Sequence, residues 1–322
     1  MKILYLHQYF ATLTSSTAVR SYVFAKHFVE QGHEVVMVTT DSFMKSETAY
    51  KEEQGIKYYN IDGIDVRAVA SEYSNYMGKS ARIKEFLNFM RQAEKVGKQV
   101  EDVDIIFATS TPLTIGIPAM RLSKKLKVPF VFEVRDLWPE APIEMGYIRS
   151  KPMIYALKKL EKRIYKKASY IISLSPGMEK GVLDTGISKE KVSVISNLAD
   201  TELFQDKNID ESLREEIIQK YELQNKFIMT HIGAMGEANG LEYLLRGADI
   251  LQKQGNDDIA ILIVGDGKTK PGLEAYAKEH NLKKCYLHWR RSEETSSNLF
   301  KFSKYHDYKF LAQAYFSDKF SK

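Results

Sequence analysis

The sequence contains very little cysteine and no long apolar run. Its one cysteine is Cys285, and a single thiol excludes both a disulfide framework and a cysteine-rich zinc cluster. No segment reaches the roughly 18 consecutive apolar residues that a membrane-spanning helix requires. The opening residues, "MKILYLHQYF", also lack the shape of a signal peptide. These absences predict a protein of a reducing, cytoplasmic compartment.

Two common nucleotide-binding motifs are missing as well. No glycine occurs between Met1 and Gln31, so the first strand and helix cannot carry the G-x-G-x-x-G loop of dinucleotide-binding folds. The segment "GDGKT" is similar to a P-loop, but that motif needs a glycine at the position of Leu262. We therefore expect neither an NAD site nor a Walker-type site.

What is present is the composition of a globular protein with an alternating pattern of elements. Apolar residues make up 44% of the chain and charged residues 28%, as in soluble domains. Strand-like and helix-like segments alternate from "KILYLH" onward, which predicts a doubly wound parallel sheet. The segment 197–212 is polar and irregular, and the pattern restarts at "KFIMTHIG". A hairpin turned at Asp62-Gly63 is predicted before the basic segment.

Length and pattern together predict two domains. We expect two Rossmann-like α/β domains that face a cleft, in residues 1–200 and 205–285, followed by an atypical tail in 286–322. The second domain is expected to be incomplete, because only about two βα units precede the tail, whereas a nucleotide-binding half of this class contains several.

The segment "VPFVFEVRDLWPEAP" changes from an apolar strand to charged residues without an intervening linker. Arg135 and Asp136 directly follow the predicted strand, at the edge where α/β sheets bind ligands. A carboxylate beside a guanidinium stays ionised and oriented, which suits binding of a hydroxylated acceptor or stabilisation of a developing cation. The alternative is a structural ion pair that fixes a loop.

Three further segments could contact an anionic ligand. Ser16 and Thr17 precede the first helix and can either cap it or turn their amides toward a phosphate. Gly233 and Gly236 follow a strand, and their missing side chains allow close approach of a pyrophosphate, although an ordinary glycine turn is the alternative. The segment from Gly265 to Lys270 ends another strand, with Lys268 or Lys270 near the ligand's phosphates.

Positive charge is concentrated in two segments with apolar residues at helical spacing, 79–99 and 149–167. The second holds eight Lys/Arg and a single acid, Glu161. Two amphipathic helices with a solvated basic face would explain both segments. Peripheral contact with an anionic membrane is the second interpretation. We expect no nucleic-acid binding, because no aromatic platform or known motif accompanies the charge.

From Met1 to about Leu282 the order of these motifs resembles family 4 of the GT-B glycosyltransferases, in the branch of colanic-acid, O-antigen and fucosamine transferases. The most specific motif is "EVRDLWPE". The resemblance also includes "HQYF", "SPGM", "NLADTELF", "GAMGEANGLEYLL" and "VGDGKTKPGLE".

The resemblance implies a retaining hexosyltransferase that needs no metal or other cofactor. A nucleotide-sugar donor would bind the C-terminal domain, and a lipid-linked or oligosaccharide acceptor of surface polysaccharide assembly (O-antigen, capsule) would bind the N-terminal one. Asp136 with Arg135 would be catalytic, although many relatives have His-Asp there. Met235 occupies a position where relatives often carry a phosphate-binding arginine. Residues implied in donor binding are Ser16, Thr17, Gly233, Gly236, Asn239, Gly265 and Lys270.

The resemblance stops near Leu282. The acidic E-x7-E-type segment of the family does not follow, and residues 301–322 hold seven aromatics and five lysines without a regular period. We expect a truncated or frame-disrupted transferase, with a divergent but complete C-terminus as the alternative. An inactive remnant that binds ligand weakly or not at all is the alternative function.

Overall fold

The structure is a computed structural model, and it describes residues 1–12, 19–44, 46–73, 77–197, 211–283 and 285–288. The chain divides into two compact units, Met1–Leu198 and Ala199–Lys322. The tail proposed for 286–322 lies almost entirely outside the described residues. The first unit is built around a mainly parallel sheet and the second around a parallel one.

Strands and helices alternate in the first unit. Its strands are β1 (Lys2–Leu6), β2 (Glu34–Thr40), β3 (Lys51–Glu53), β4 (Ile56–Ile61), β5 (Ile64–Val69), β6 (Ile105–Thr109), β7 (Phe130–Val134), β8 (Tyr170–Ser173) and β9 (Val192–Val194). Its helices are α1 (Arg20–Glu30), α2 (Lys79–Gly97), α3 (Gly116–Leu126), α4 (Glu140–Glu144), α5 (Lys151–Lys167) and α6 (Pro176–Asp184). The two basic segments, 79–99 and 149–167, therefore form α2 and α5.

The described strands of the first unit form one nine-stranded sheet in the order β3-β4-β5-β2-β1-β6-β7-β8-β9. Strand β1 pairs in parallel with β2 on one side and with β6 on the other. Only β3, β4 and β5 include antiparallel pairings among these strands. The predicted hairpin is confirmed: Asp62 and Gly63, both with positive φ, turn the chain between β4 and β5.

The core lies on both faces of this sheet, which explains why its strands read as continuous apolar runs. Successive side chains of β1 point to opposite faces. Leu4 and Leu6 belong to the cluster on one face, whereas Ile3 and Tyr5 belong to the cluster on the other. The predicted α/β, doubly wound class is confirmed by this arrangement.

The second unit repeats the pattern on a smaller scale. Its described elements are α7 (Glu211–Lys220), β10 (Phe227–Ile232), α8 (Leu241–Lys253), β11 (Ile259–Val264), α9 (Lys270–Glu279) and β12 (Cys285–His288). The strands form a three-stranded parallel sheet with β11 in the middle. Leu262 and Ile263 of β11 are buried on its two faces.

Helix α5 contains a buried acid, Glu161. Burial, together with nearby Glu140, raises the pKa of the Glu161 carboxyl to about 7 from 4.5. Because this carboxyl has a higher pKa in the folded state than in the unfolded state, ionising it opposes folding. The free energy of unfolding is therefore highest below the unfolded pKa and falls as the pH rises through about 7. Glu161→Gln should therefore stabilise the protein by about 3 kcal/mol at about pH 8. Urea unfolding would measure this difference.

The control is to compare the wild type and Glu161→Gln at about pH 4, which lies below the unfolded pKa. There the difference between their free energies of unfolding should nearly disappear. An equal difference at both pH values would show that the carboxyl of Glu161 is ionised in the folded state as readily as in water.

Candidate functional site

Polar side chains gather at the carboxyl edge of the nine-stranded sheet, where β1, β6 and β7 end side by side. His7 follows β1, Ser110 and Thr111 follow β6, and Arg135 and Asp136 follow β7. Because parallel strands end at a common edge, residues far apart in sequence meet there. The resulting group contains a carboxylate, a guanidinium, an imidazole and two hydroxyls.

Asp136 is exposed and is held in place by one neighbour. The Thr111 hydroxyl donates to its Oδ2 atom at 2.5 Å. One carboxylate oxygen is thus fixed by the protein, while the side chain remains open to solvent. Asp136 is neither sealed in apolar packing nor part of the core, so it can contact a ligand.

Arg135 is half-buried and does not pair with its neighbour in sequence. Its backbone N–H donates to Ser110 Oγ at 3.0 Å, and its Nη1 lies 3.4 Å from His7 Nε2. Within the described residues no ion pair joins Arg135 to Asp136. The prediction that the Arg135 guanidinium pairs with the Asp136 carboxylate is therefore wrong. Arg135 instead contacts the His7 imidazole, and Asp136 accepts from the Thr111 hydroxyl.

His7 completes this corner; it is the first residue of the motif "HQYF", and no role was predicted for it. Its side chain is buried, and Nδ1 lies 2.7 Å from Ser21 Oγ. Burial, and secondarily the charge of Arg135, hold the His7 pKa well below its usual value. The imidazole is therefore neutral, with Nε2 accepting from Arg135 and Nδ1–H donating to Ser21. A histidine just past the first strand was the available signal.

Glu133 and Arg20 lie below this corner and form a structural pair. Both are buried, and Arg20 Nε donates to Glu133 Oε1 at 2.9 Å. The second carboxylate oxygen of Glu133 accepts from the Thr109 hydroxyl at 3.0 Å. The rest of the Arg20 guanidinium donates to the carbonyls of Ile195 and Ser196 at 2.7 and 2.5 Å. The pair fastens α1 and β7 to the segment after β9.

Two predicted site residues cannot be placed in this way. Ser16 and Thr17 lie outside the described residues. Their assignment to capping or to phosphate binding stays a prediction.

In the second unit, two glycine turns lie against each other at the carboxyl edge of the small sheet. Gly233 follows β10 and Gly265 follows β11. A Cβ on Gly265 would lie 1.9 Å from the Gly233 carbonyl oxygen, so only glycine allows this approach. The turns are joined further by Met235 N–H, which donates to the Asp266 carbonyl at 2.9 Å, and by Thr269 N–H, which donates to the Met235 carbonyl at 3.1 Å.

The amides of the predicted glycines already have acceptors within the protein. Gly233 N–H donates to the Val264 carbonyl at 3.0 Å, and Gly236 N–H donates to Asn239 Oδ1 at 3.3 Å. The expectation that these two N–H groups face a diphosphate therefore needs correction. These glycines instead provide a backbone surface without side chains that a ligand can approach. The Asn239 side chain stabilises the turn at Gly236.

The side chains around the two turns differ in burial, which separates the two lysines that were predicted to lie near the ligand's phosphates. Met235, where the motif resemblance implied an arginine in relatives, is fully buried in an apolar cluster. Lys270 is also buried, and burial lowers the pKa of its ammonium group. Lys268 is the exposed cation of the segment, with Nζ 2.6 Å from Glu237 Oε1. Of the two lysines considered, Lys268 is therefore the one open to a ligand.

The described residues contain no group of three or more His, Cys, Asp and Glu side chains arranged to hold a metal ion. Among the same residues, no helix is both long enough and apolar enough to span a bilayer.

Comparison with known proteins places the chain in a family. The sequence model of Glycosyltransferase Family 4 matches residues 17–203, more than half of the chain. The model of Glycosyl transferases group 1 matches residues 213–305. That second match continues past Leu282, where the motif resemblance ended.

One curated relative is WcaI of Escherichia coli K12, provisionally assigned as a colanic acid biosynthesis glycosyl transferase. It is 25% identical over 179 residues, which cover 53% of this chain and 42% of WcaI. The match therefore spans less than half the length of that relative.

Solved structures share the fold at low identity. Alr3699/HepE of Anabaena, in complex with UDP-glucose, matches with a TM-score of 0.61 at 16% identity, covering 94% of this chain and 72% of HepE. Sucrose-phosphate synthase of Thermosynechococcus elongatus matches with a TM-score of 0.67 at 15% identity, covering 94% and 73%. These likenesses identify a GT-B fold. The match of the family model shows that the chain belongs to Glycosyltransferase Family 4.

Proposed function

We propose that this protein transfers a hexose-type sugar from a nucleotide-sugar to a lipid-linked or oligosaccharide acceptor, with retention of the anomeric configuration, during surface polysaccharide assembly. The observation that carries the proposal is Asp136. It is exposed at the carboxyl edge of a parallel sheet, is fixed by Thr111, and lies inside the region that matches family 4. The residues around 1–200 would bind the acceptor and those around 205–285 the donor.

The paired glycine turns support the donor part of the proposal. They present backbone without side chains in the segments that lead from β10 and β11 into α8 and α9, and the dipole at a helix N-terminus favours negative charge. Lys268 adds an exposed cation beside them. A nucleoside diphosphate, the leaving group of this reaction, carries the matching charge. HepE, which shares the fold, was solved with UDP-glucose.

Asp136 would act on the acceptor side. Its carboxylate can accept a hydrogen bond from the acceptor hydroxyl and stabilise the positive charge that develops on the sugar ring. In the transfer, the bond between the anomeric carbon and the diphosphate oxygen breaks as the bond to the acceptor oxygen forms, and the hydroxyl proton passes to the departing diphosphate. This scheme uses no metal. Arg135, oriented by His7 and Ser110, would contact the acceptor together with Asp136.

The proposed location is the cytoplasmic face of a membrane. A lipid-linked acceptor is held at a bilayer surface, and peripheral contact through basic helices α2 or α5 would bring the enzyme to it. The assignment of WcaI to colanic acid synthesis supports a polysaccharide context.

We expect Asp136→Asn to lower the rate of sugar transfer by about 100-fold or more, because the amide has the carboxylate's shape without its charge. The measurement is a transfer assay with UDP- and GDP-sugars and lipid-linked acceptors. Asp184→Asn, which removes an exposed carboxylate of α6 paired only with Lys180 among the described residues, should leave the rate unchanged. Equal rates for Asp136→Asn and the wild type would remove Asp136 from the site.

Isothermal titration with UDP- and GDP-sugars tests the donor part separately. Binding of one donor class supports the transferase. No binding at millimolar donor would favour the inactive remnant.

A further inference from the structure

A groove beside the first turns of α2 is not used by the proposed transfer step. This groove, hereafter the α2 groove, has a volume of about 710 Å³. Its lining includes Asp41, which directly follows β2, and Ser71, which follows β5. Strands β2, β5 and β7 run in the same direction in the sheet, so these residues lie at the same carboxyl edge as Asp136. Ligands of parallel α/β sheets bind at this edge.

Two aromatic contacts connect the α2 groove with the corner that contains Asp136. Phe86 of α2, whose two neighbours in sequence both line the groove, packs edge-on against Trp138 with ring centroids 6.4 Å apart. Trp138 follows Asp136 by two positions. Tyr9, in the segment after β1, packs against Tyr73, in the segment after β5, with centroids 4.8 Å apart. The groove and the corner are therefore parts of one packed surface of the first unit.

The strand order gives the length of a ligand that would contact both places. Strands β2 and β7 are separated by β1 and β6, which amounts to three strand spacings, or about 14 Å. A single sugar ring is shorter than this span. A ligand that contacts Asp136 and also fills the α2 groove must therefore consist of several linked units.

The charges of the α2 groove balance one another. Among the described residues, the charged side chains that line it are three acids and two bases, namely Asp41, Glu72, Glu85, Lys84 and Arg91. Asp41 is neutralised from outside the lining by Lys57, whose Nζ lies 2.8 Å from Oδ2. A surface without net charge does not concentrate a polyanion. This lining therefore favours an uncharged ligand over a nucleic acid or a phosphate-rich one.

The polar side chains that remain available suit a ligand rich in hydroxyls. Glu72 and Arg91 are exposed and Asn88 is half-buried, and none of the three side chains has a hydrogen bond or ion pair in the described part of the chain. Carboxylate, amide and guanidinium groups can each bond two neighbouring hydroxyls. Ile83 and Leu87 are 54% and 39% exposed in the same lining. They supply apolar contacts for the C–H faces of sugar rings.

We propose that the α2 groove binds the non-reacting units of a neutral oligosaccharide acceptor whose terminal hydroxyl lies at Asp136. The proposal rests on the proposed function and narrows its acceptor to a chain of several linked sugars. Binding energy from units remote from the reacting atom would hold the terminal hydroxyl in position for transfer. Contacts in the groove would therefore determine which acceptors the protein accepts.

The test is binding of the fluorescently labelled full chain to a glycan array, without any nucleotide-sugar. The array carries neutral mono- to hexasaccharides of hexoses, deoxyhexoses and N-acetylhexosamines. The wild type should bind at least one series, and the hexasaccharide of that series about 10-fold or more tightly than its monosaccharide. The triple variant Glu72→Ala, Asn88→Ala, Arg91→Ala should bind the same hexasaccharide about 10-fold or more weakly, because three groups that bond hydroxyls are lost.

The matched control removes a base, an amide and an acid near the other end of α2, through Lys95→Ala, Gln99→Ala and Glu101→Ala, all of which are exposed. It should change binding less than about 2-fold. Equal loss in both triple variants overturns the proposal. So does binding of the monosaccharide as tight as that of the hexasaccharide, or no glycan binding by the wild type. If array binding fails while donor titration succeeds and Asp136→Asn lowers transfer, the proposed function stands and only the α2 groove is wrong.

Discussion

Replacing Arg20 with methionine is expected to lower the free energy of unfolding by about 3–5 kcal/mol. The substitution leaves the buried carboxylate of Glu133 without its cation. It also leaves the carbonyls of Ile195 and Ser196 without the donors they have now. An uncompensated buried charge costs far more than the packing that methionine supplies. Urea unfolding followed by circular dichroism measures the effect.

The double variant Arg20→Met, Glu133→Gln separates the charge from the packing. It should recover part of the loss, because the neutral amide no longer needs a cation. Lys180→Met, which breaks the exposed pair with Asp184, is the control and should change stability by less than about 1 kcal/mol. A single Arg20 variant as stable as this control would show that the buried pair does not support the fold.

The second large effect is expected at the paired glycine turns. Gly265→Ala would place a Cβ 1.9 Å from the Gly233 carbonyl oxygen, so the two turns must separate. Because β10 and β11 end at these turns, separation also disturbs the hydrogen bonds of Met235 and Thr269. We expect donor binding to fall by about 100-fold or more, since a ligand site loses its shape when its backbone moves by an ångström. Titration with UDP-glucose is the measurement.

The control for this change is another glycine-to-alanine substitution in the same unit. Gly272 lies in α9, and a Cβ there would have no heavy atom within 4 Å. Gly272→Ala should leave donor binding unchanged and raise stability slightly, since alanine favours a helix over glycine by about 1 kcal/mol. Donor binding by Gly265→Ala as tight as by Gly272→Ala would mean that the turns do not form the donor site.

Local sequence patterns were sufficient for the fold class and for the positions of the strand ends. The apolar runs before Arg135 and before Gly233 and Gly265 form strands β7, β10 and β11, as predicted. Side-chain period and turn residues act over a few neighbouring positions, so one sequence reveals them. The glycines and Asp136 follow those strands for the same reason.

The contacts within the site could not be predicted in this way. Arg135 contacts His7 and Arg20 contacts Glu133, across 128 and 113 positions of the chain. Nothing in a local pattern specifies which distant partner a charged side chain meets. Burial of Lys270 and the internal acceptors of the Gly233 and Gly236 amides likewise depend on how two turns pack together. Spacing reveals that a turn exists but leaves open which of its groups are already bonded.

The contacts of Arg20 have a consequence for synthesis on the ribosome. The acceptors of its guanidinium are contributed by Glu133, Ile195 and Ser196, so a nascent chain cannot complete this set until the segment after β9 has left the exit tunnel. We expect the anchoring of α1 to be finished only then. A polypeptide released before Ile195 would keep Glu133 but lack the two carbonyl acceptors, and such incompletely fastened chains are substrates for chaperones and proteases.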